Sequence, residues 1–263
     1  YAVTGASGQG HETSFATIVE QELGLPASRV LYQAGHHGRD LVGNGTGGSR
    51  TLYGAGSAIV ELCARIREQA QALWTELGGA PGTSPDLASW PATLTAAQRA
   101  RLAAEGKAAS GATFPNGTHV AEVEIDPATG ETEVVRYVAV DDLGRVISPQ
   151  LVIGQLQGGV VQGWGQVFCE HAMYDERGQL SSGSFMDYTM PRAGCVPAVI
   201  AEQIPVRTGL NRVGAKGVGE AGCTGSIPSL TNAMMNALRR RGIQHMETPF
   251  TASRVWEALH PSA

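Results

Sequence analysis

The sequence predicts an α+β fold, with mixed sheets and packed helices arranged in two sub-domains. Three observations carry that expectation. Apolar residues recur at helical spacing in several long segments. One segment alternates with period two around a tight turn. A stretch rich in Pro, Gly, Ser and Thr, residues 79–93, separates two parts of the chain. With 263 residues, 42% hydrophobic and 16% charged, the chain can bury a sizeable core and lacks the composition of a disordered protein.

The elements follow in order. Residues 1–4 form a strand-like apolar run leading into the loop 5–10. Phe15, Ile18, Val19 and Leu23 share one face of a first helix, which Gly24 and Pro26 stop. Residues 29–33 read as a short strand. A polar, glycine-rich loop, 35–50, feeds a long helix striped with Ile59, Leu62, Ile66, Ala70, Leu73 and Leu77 and ended by Gly78 and Gly79. Thr95 and Gln98 form a capping box that starts a short helix. Residues 120–125 and 134–140 alternate as the two strands of a hairpin around the turn 126–130. A glycine-rich apolar helix covers 149–169. A second hairpin spans 172–188 with its turn at 175–178. The loop 214–225 opens into a helix that begins near Ser226 and Pro228, turns Leu230, Ala233, Met234 and Ala237 inward, and ends at Gly242. This divides the chain into a first part, 1–80, a connection with a short helix, 81–117, and a second part, 118–263.

Composition excludes several functions. The net charge is -5, and the longest basic run, Arg239, Arg240 and Arg241, is a helix end, so nucleic acid is not the main partner. No apolar stretch approaches the roughly 18–20 residues of a membrane span, and residues 1–263 carry no segment that reads as a signal peptide or lipidation motif. The expected location is cytoplasmic, with the periplasm left open. The opening at Tyr1, without methionine, reads as a fragment, a processed product or one piece of a split polypeptide. Cys63, Cys169, Cys195 and Cys223 lack metal or redox spacing and read as free thiols in a reducing compartment. His36 and His37 are adjacent, and neighbouring side chains seldom converge on one metal, so no protein-ligated metal is expected. There is no GxSxG elbow for a serine hydrolase.

Glycine is the outlier, at 35 residues gathered in short clusters. Two stretches, 43–48 and 217–222, match GxGxxG. The first follows only Leu41 and Val42. The second places Glu220 where a pyrophosphate would sit, and like charges repel, so neither reads as a dinucleotide site. Glu220, flanked by small residues, has two readings. One is a general base, because a carboxylate buried by a bound ligand gains proton affinity; the other is a capping or surface glutamate. Gln9, Ser49, Arg50 and Gln162 repeat the arrangement of a polar side chain beside glycine, which suits one extended polar ligand.

Taken together, segments 8–13 (GQGHET), 45–51 (GTGGSRT), 120–126 (VAEVEID), 142–149 (DLGRVISP), 154–163 (GQLQGGVVQG) and 216–222 (KGVGEAG) resemble the molybdenum-binding subunit of the xanthine dehydrogenase/aldehyde oxidase/carbon monoxide dehydrogenase family of molybdenum hydroxylases. They span nearly the whole chain and match the C-terminal half of that subunit. The resemblance implies a molybdopterin-binding domain, with molybdenum held by a pterin dithiolene and the pterin in its plain or cytosine dinucleotide form. It implies Glu220 as the catalytic base in hydroxylating an N-heterocycle or an aldehyde with water-derived oxygen. Gln9, Gly10 and Gln162 would meet the pterin or an oxo ligand; Gly48, Ser49, Arg50 and Thr51 the pterin or its phosphate; and Lys216, Gly217, Val218 and Gly219 would shape the loop presenting Glu220. The implied partners are the other half of the molybdenum subunit, a 2Fe-2S subunit and a flavin (FAD) subunit. A carbon monoxide dehydrogenase large subunit, or a non-catalytic cofactor carrier, would use the same scaffold. Ser148, where the family commonly has asparagine, and Cys195, which interrupts an acidic stretch, depart from the pattern.

Overall fold

The computed structural model describes residues 1–38 and 40–261; the last two residues of the predicted second part lie outside them. The chain folds into two compact units, each discontinuous in sequence. One comprises Tyr1–Phe114, Leu143–Val152 and Pro205–Gly217; the other comprises Pro115–Asp142, Ile153–Ile204 and Val218–Ala263.

The first unit is built on α1 (His11–Leu23) and α2 (Thr51–Glu76). Phe15 and Ile18 of α1 and Tyr53 of α2 bury together with Ile147, Val213 and Ala215. Each large apolar side chain removed from water contributes about 1.5–3 kcal/mol. Gly24 stops α1 in the left-handed conformation, φ 69°. Ala70 and Leu73 continue the buried stripe of α2, whereas Leu77, just past its end, is exposed. The predicted capping box opens α3 (Ala96–Ala100), with the Thr95 side chain accepting from the Gln98 amide.

The second unit holds a three-stranded sheet in the order β1 (Asn116–Ile125), β2 (Thr132–Asp142), β3 (Val199–Gln203). The first pair is antiparallel, with Val120 opposite Val138; the second is parallel, with Ala139 opposite Ala201. In the hairpin turn, Gly130 at φ 76° donates to the Asp126 carbonyl at 2.7 Å. Three helices accompany the sheet: α4 (Pro149–Phe168), which begins in the first unit, α5 (Ala221–Arg239) and α6 (Ala252–Leu259). Tyr137, Val160, Leu230, Met234, Phe250 and Val255 form the centre of this unit's core.

Several local expectations change. Residues 1–4 and 29–33 are not strands: a single bridge joins Ala2 to Ala34, because neither run has a neighbour to continue the ladder. The second hairpin reduces to the bridge between Tyr174 and Leu180 around its turn. Helix α5 starts at Ala221, so Pro228 lies inside the helix and does not open it. β3 and α6 were not foreseen. Ser148 sits immediately before Pro149, and its carbonyl accepts from Val152 at 3.1 Å, the positions that serine and proline favour at a helix start. Among the described residues, no helix is long and apolar enough to cross a membrane.

Candidate cofactor site

In the first unit, the glycine clusters precede the two long helices. Gly8 and Gly10 take φ 98° and 70°, bringing Gln9 to the start of α1, where no side chain caps the helix. The Gln9 amide oxygen accepts from the Ser7 N–H, so its NH2 group has no protein partner among the described residues. His11, the first residue of α1, is buried, and its Nδ1 has no hydrogen-bond partner among the described residues. Burial lowers the His11 pKa, with Glu12 opposing.

Before α2, Gly48 and Ser49 take φ 60° and 54°, and Arg50 returns to the right-handed region. Ser49 is the only non-glycine residue with positive φ among the described residues, a conformation that costs about 1–3 kcal/mol and tends to mark functional loops. No side chain caps α2 either, and the exposed Arg50 guanidinium makes no ion pair among the described residues. Thr46 Oγ1 donates to the Gly5 carbonyl at 2.7 Å, tying this loop to the one before α1.

The approach to Gly217 is pinned. Arg145 N–H donates to Gly214 O and Lys216 N–H to Leu143 O, both at 2.8 Å. The Asn211 side chain accepts from Gly214 N–H at 2.7 Å and donates to Ala215 O at 2.8 Å. Gly217 then packs on Ser49: a Cβ there would stand 2.7 Å from the Ser49 carbonyl oxygen.

The second unit carries Val218, Gly219, Glu220 and Gln162. Glu220 is the N-cap residue of α5 and is exposed, and its side chain makes no cap hydrogen bond, so the surface reading rather than the capping one stays beside that of a general base. Its carbonyl accepts from Thr224 N–H at 2.9 Å. Helices α4 and α5 cross through small residues. A Cβ on Gly159 would lie 2.9 Å from Gly222 Cα, and one on Gly163 would lie 3.0 Å from Ser226 Cβ. Glu220 and Gln162 each stand within a turn of this crossing, on α5 and α4 respectively.

These features fit an anionic, acceptor-rich group. Uncapped helix starts present N–H donors and a positive dipole end. Successive left- and right-handed residues form the anion-binding turns known as nests. Arg50 adds a charged fork suited to phosphate, and Gln9 NH2 and the buried His11 Nδ1 are polar groups in want of partners. Among the described residues, no cluster of three His, Cys, Asp or Glu could hold a metal.

Residues 3–197 match the molybdopterin cofactor-binding domain family. The chain belongs to this family. It is 32% identical to the carbon monoxide dehydrogenase large chain of Hydrogenophaga pseudoflava, over 96% of this chain and 34% of that one. It is 30% identical to the nicotine 6-hydroxylase large subunit of Paenarthrobacter nicotinovorans, over 96% and 34% respectively. The crystal structure of a Cu,Mo-CO dehydrogenase superposes with a TM-score of 0.85 at 28% identity, covering 98% of this chain and 36% of that one. The chain therefore spans about a third of the length of the relatives it matches.

Sequence reasoning missed a group of buried polar residues that reaches α5. His119, Tyr137 and Asp141 lie on the hairpin as ordinary alternating residues, and only the fold joins them to α5. The small-residue pairs Gly159/Gly163 and Gly222/Ser226 carried a readable signal, an i, i+4 spacing on two helices.

Proposed function

We propose that this chain forms part of the cofactor pocket of a molybdenum hydroxylase that oxidises an N-heterocycle or an aldehyde, with Glu220 as its general base. The observation that carries the reading is the placement of Glu220. It is an exposed carboxylate at the start of α5, a helix that it does not cap, within a turn of the glycine-lined crossing with α4. Family membership supplies the cofactor, a molybdopterin.

When bound, the molybdenum–pterin group supplies a two-electron redox centre. This chain's residues do the rest. Gln9 donates through its NH2 group, and the backbone at Gly10 lets the group approach. Arg50, with the N–H groups of Ser49 and Thr51 at the start of α2, holds the phosphate. Gln162 donates from α4. Lys216, Gly217, Val218 and Gly219 would form the arm that presents Glu220, whose carboxylate would take a proton from water activated at the bound group. The remaining part of the molybdenum subunit, an iron–sulfur chain and a flavin chain complete the electron path.

The test uses the native complex containing this chain. We expect about one molybdenum per chain, with iron in the same fraction. Glu220→Gln keeps the molybdenum and lowers turnover by about 10²–10⁴-fold, the usual contribution of a positioned base. Unchanged turnover in that variant overturns the assignment. The likeness to carbon monoxide dehydrogenase large chains favours a second reading, in which carbon monoxide is the substrate. Copper in the complex, with activity towards carbon monoxide and none towards heterocycles or aldehydes, selects it.

A further inference from the structure

Helix α5 has a weak point. Pro228 lies in its interior, donates no N–H to the Thr224 carbonyl and crowds the preceding turn. The ladder between the segment bearing Glu220 and the rest of α5 thus lacks one hydrogen bond, and a contact from outside the helix can bridge that gap.

A buried polar chain within the second unit does so. The side chains of His119 and Asp141 are each 4% exposed, with Nε2 3.1 Å from Asp141 Oδ2. His119 Nδ1 lies 2.7 Å from the Tyr137 hydroxyl, which lies 3.0 Å from Ser229 Oγ. Ser229 Oγ donates to the Ser226 carbonyl at 3.2 Å, and Ser226 Oγ to the Cys223 carbonyl at 3.3 Å. These contacts run from the imidazole through Tyr137 and Ser229 to the Ser226 carbonyl, across the proline break. The imidazole also lies directly against Gly225, where any side chain would collide with it. Gly117, paired with Asp141 across the hairpin, leaves room for the carboxylate: a Cβ there would stand 2.9 Å from Asp141 Cγ.

We propose that His119, anchored by Asp141 and acting through Tyr137 and Ser229, is a positioning residue that clamps the first two turns of α5 and so fixes Glu220. The clamp itself is independent of the cofactor reading; only its consequence for turnover rests on that reading.

Hydrogen exchange in the native complex tests the clamp. Ser229→Ala is the cleanest variant, because alanine is the better helix former and any loosening cannot come from poorer propensity. Tyr137→Phe removes one hydroxyl, and His119→Gln keeps a polar atom for Asp141 while losing the one facing Tyr137. In each, amides 221–227 should exchange about tenfold faster, while amides 234–238 keep their rates. The double variant Ser229→Ala/Tyr137→Phe should be no faster than either single one, since both cut the same chain. Turnover per bound molybdenum should fall about tenfold, with KM within about twofold, as misplacement of a reacting group demands. Unchanged exchange at 221–227, or a uniform rise along α5, overturns the clamp. Local loosening with unchanged turnover leaves the clamp standing and counts against Glu220 as the base, a result that Glu220→Gln checks separately.

Discussion

Gly217 lies against the backbone of Ser49, so closely that a side-chain carbon at 217 would stand 2.7 Å from the Ser49 carbonyl oxygen and 2.8 Å from its Cβ. The obstacle is backbone, and it belongs to the residue with positive φ that leads into α2. Gly217→Ala must therefore displace the Ser49 turn or the arm before Glu220. The expected cost is about 1–3 kcal/mol, the usual range for overpacking. Thermal unfolding should register it, and the purified complex should hold less than half the molybdenum of the parent. Full molybdenum content would show that the Ser49 turn plays no part in holding the cofactor.

Arg50 separates binding from folding. It is exposed, opens α2 and makes no ion pair among the described residues, so its removal costs the fold little. A charge-assisted bond to phosphate is worth about 1.5–3 kcal/mol. Arg50→Ala should thus leave the melting temperature within a degree or so of the parent, while cofactor release on dilution becomes about 10–100-fold faster. Equal loss of stability and of cofactor would point to a structural role.

How far the sequence could be read depends on where each signal resides. The hairpin of β1 and β2 was legible because its turn chemistry, Asp126 to Gly130, and its alternation are local. The start of α5 was not. Its first turns contain Gly222 and Gly225, poor helix formers, and they are helical because Gly222 packs on the backbone of α4 near Val160. Residues 226–228 looked like a helix opening, since proline favours the first turn, and tertiary packing overrode that preference. β3 was invisible for a related reason: it joins the sheet by parallel pairing with β2, more than sixty residues away in sequence. For the candidate site, glycine-flanked polar residues marked the loops before α1, α2 and α5. The contacts nearby, Gly217 on Ser49 and His119 on Gly225 of α5, are tertiary and left no local trace.

The crossing of α4 and α5 predicts a compensating pair. Gly163→Ala gains helix propensity, about 1 kcal/mol, but drives its methyl into Ser226. Ser226→Gly in the same chain removes the obstacle, so the double variant should melt above Gly163→Ala alone. Gly222→Ala faces the Leu156 carbonyl and the Val160 nitrogen of α4, which cannot be trimmed. It should be the most destabilising of the three, and Ser226→Gly should not relieve it. Thermal unfolding of the four variants decides the matter; rescue of Gly222→Ala by Ser226→Gly would mean that the helices cross differently.

The thiols give a pH signature with a definite sign. Burial pushes the Cys63 thiol up to about 11, with Glu22 adding to the rise and Arg67 opposing it. The folded chain therefore keeps a proton that the unfolded chain releases from about pH 9. The contribution to stability is complete below that value, shrinks by up to about 1.4 kcal/mol per pH unit, and is gone above pH 11. Burial likewise raises Tyr137 to about 12, which extends the alkaline loss. Cys63→Ala should lower the melting temperature at pH 8 by leaving a small cavity, yet flatten its decline between pH 9 and 11. Alkylation at pH 8 offers an independent check. The exposed Cys195 should react first, and the buried Cys63 only on unfolding. Early labelling of Cys63 in the folded complex would mean that the packing between α2 and its neighbours opens far more readily than its 3% exposure implies.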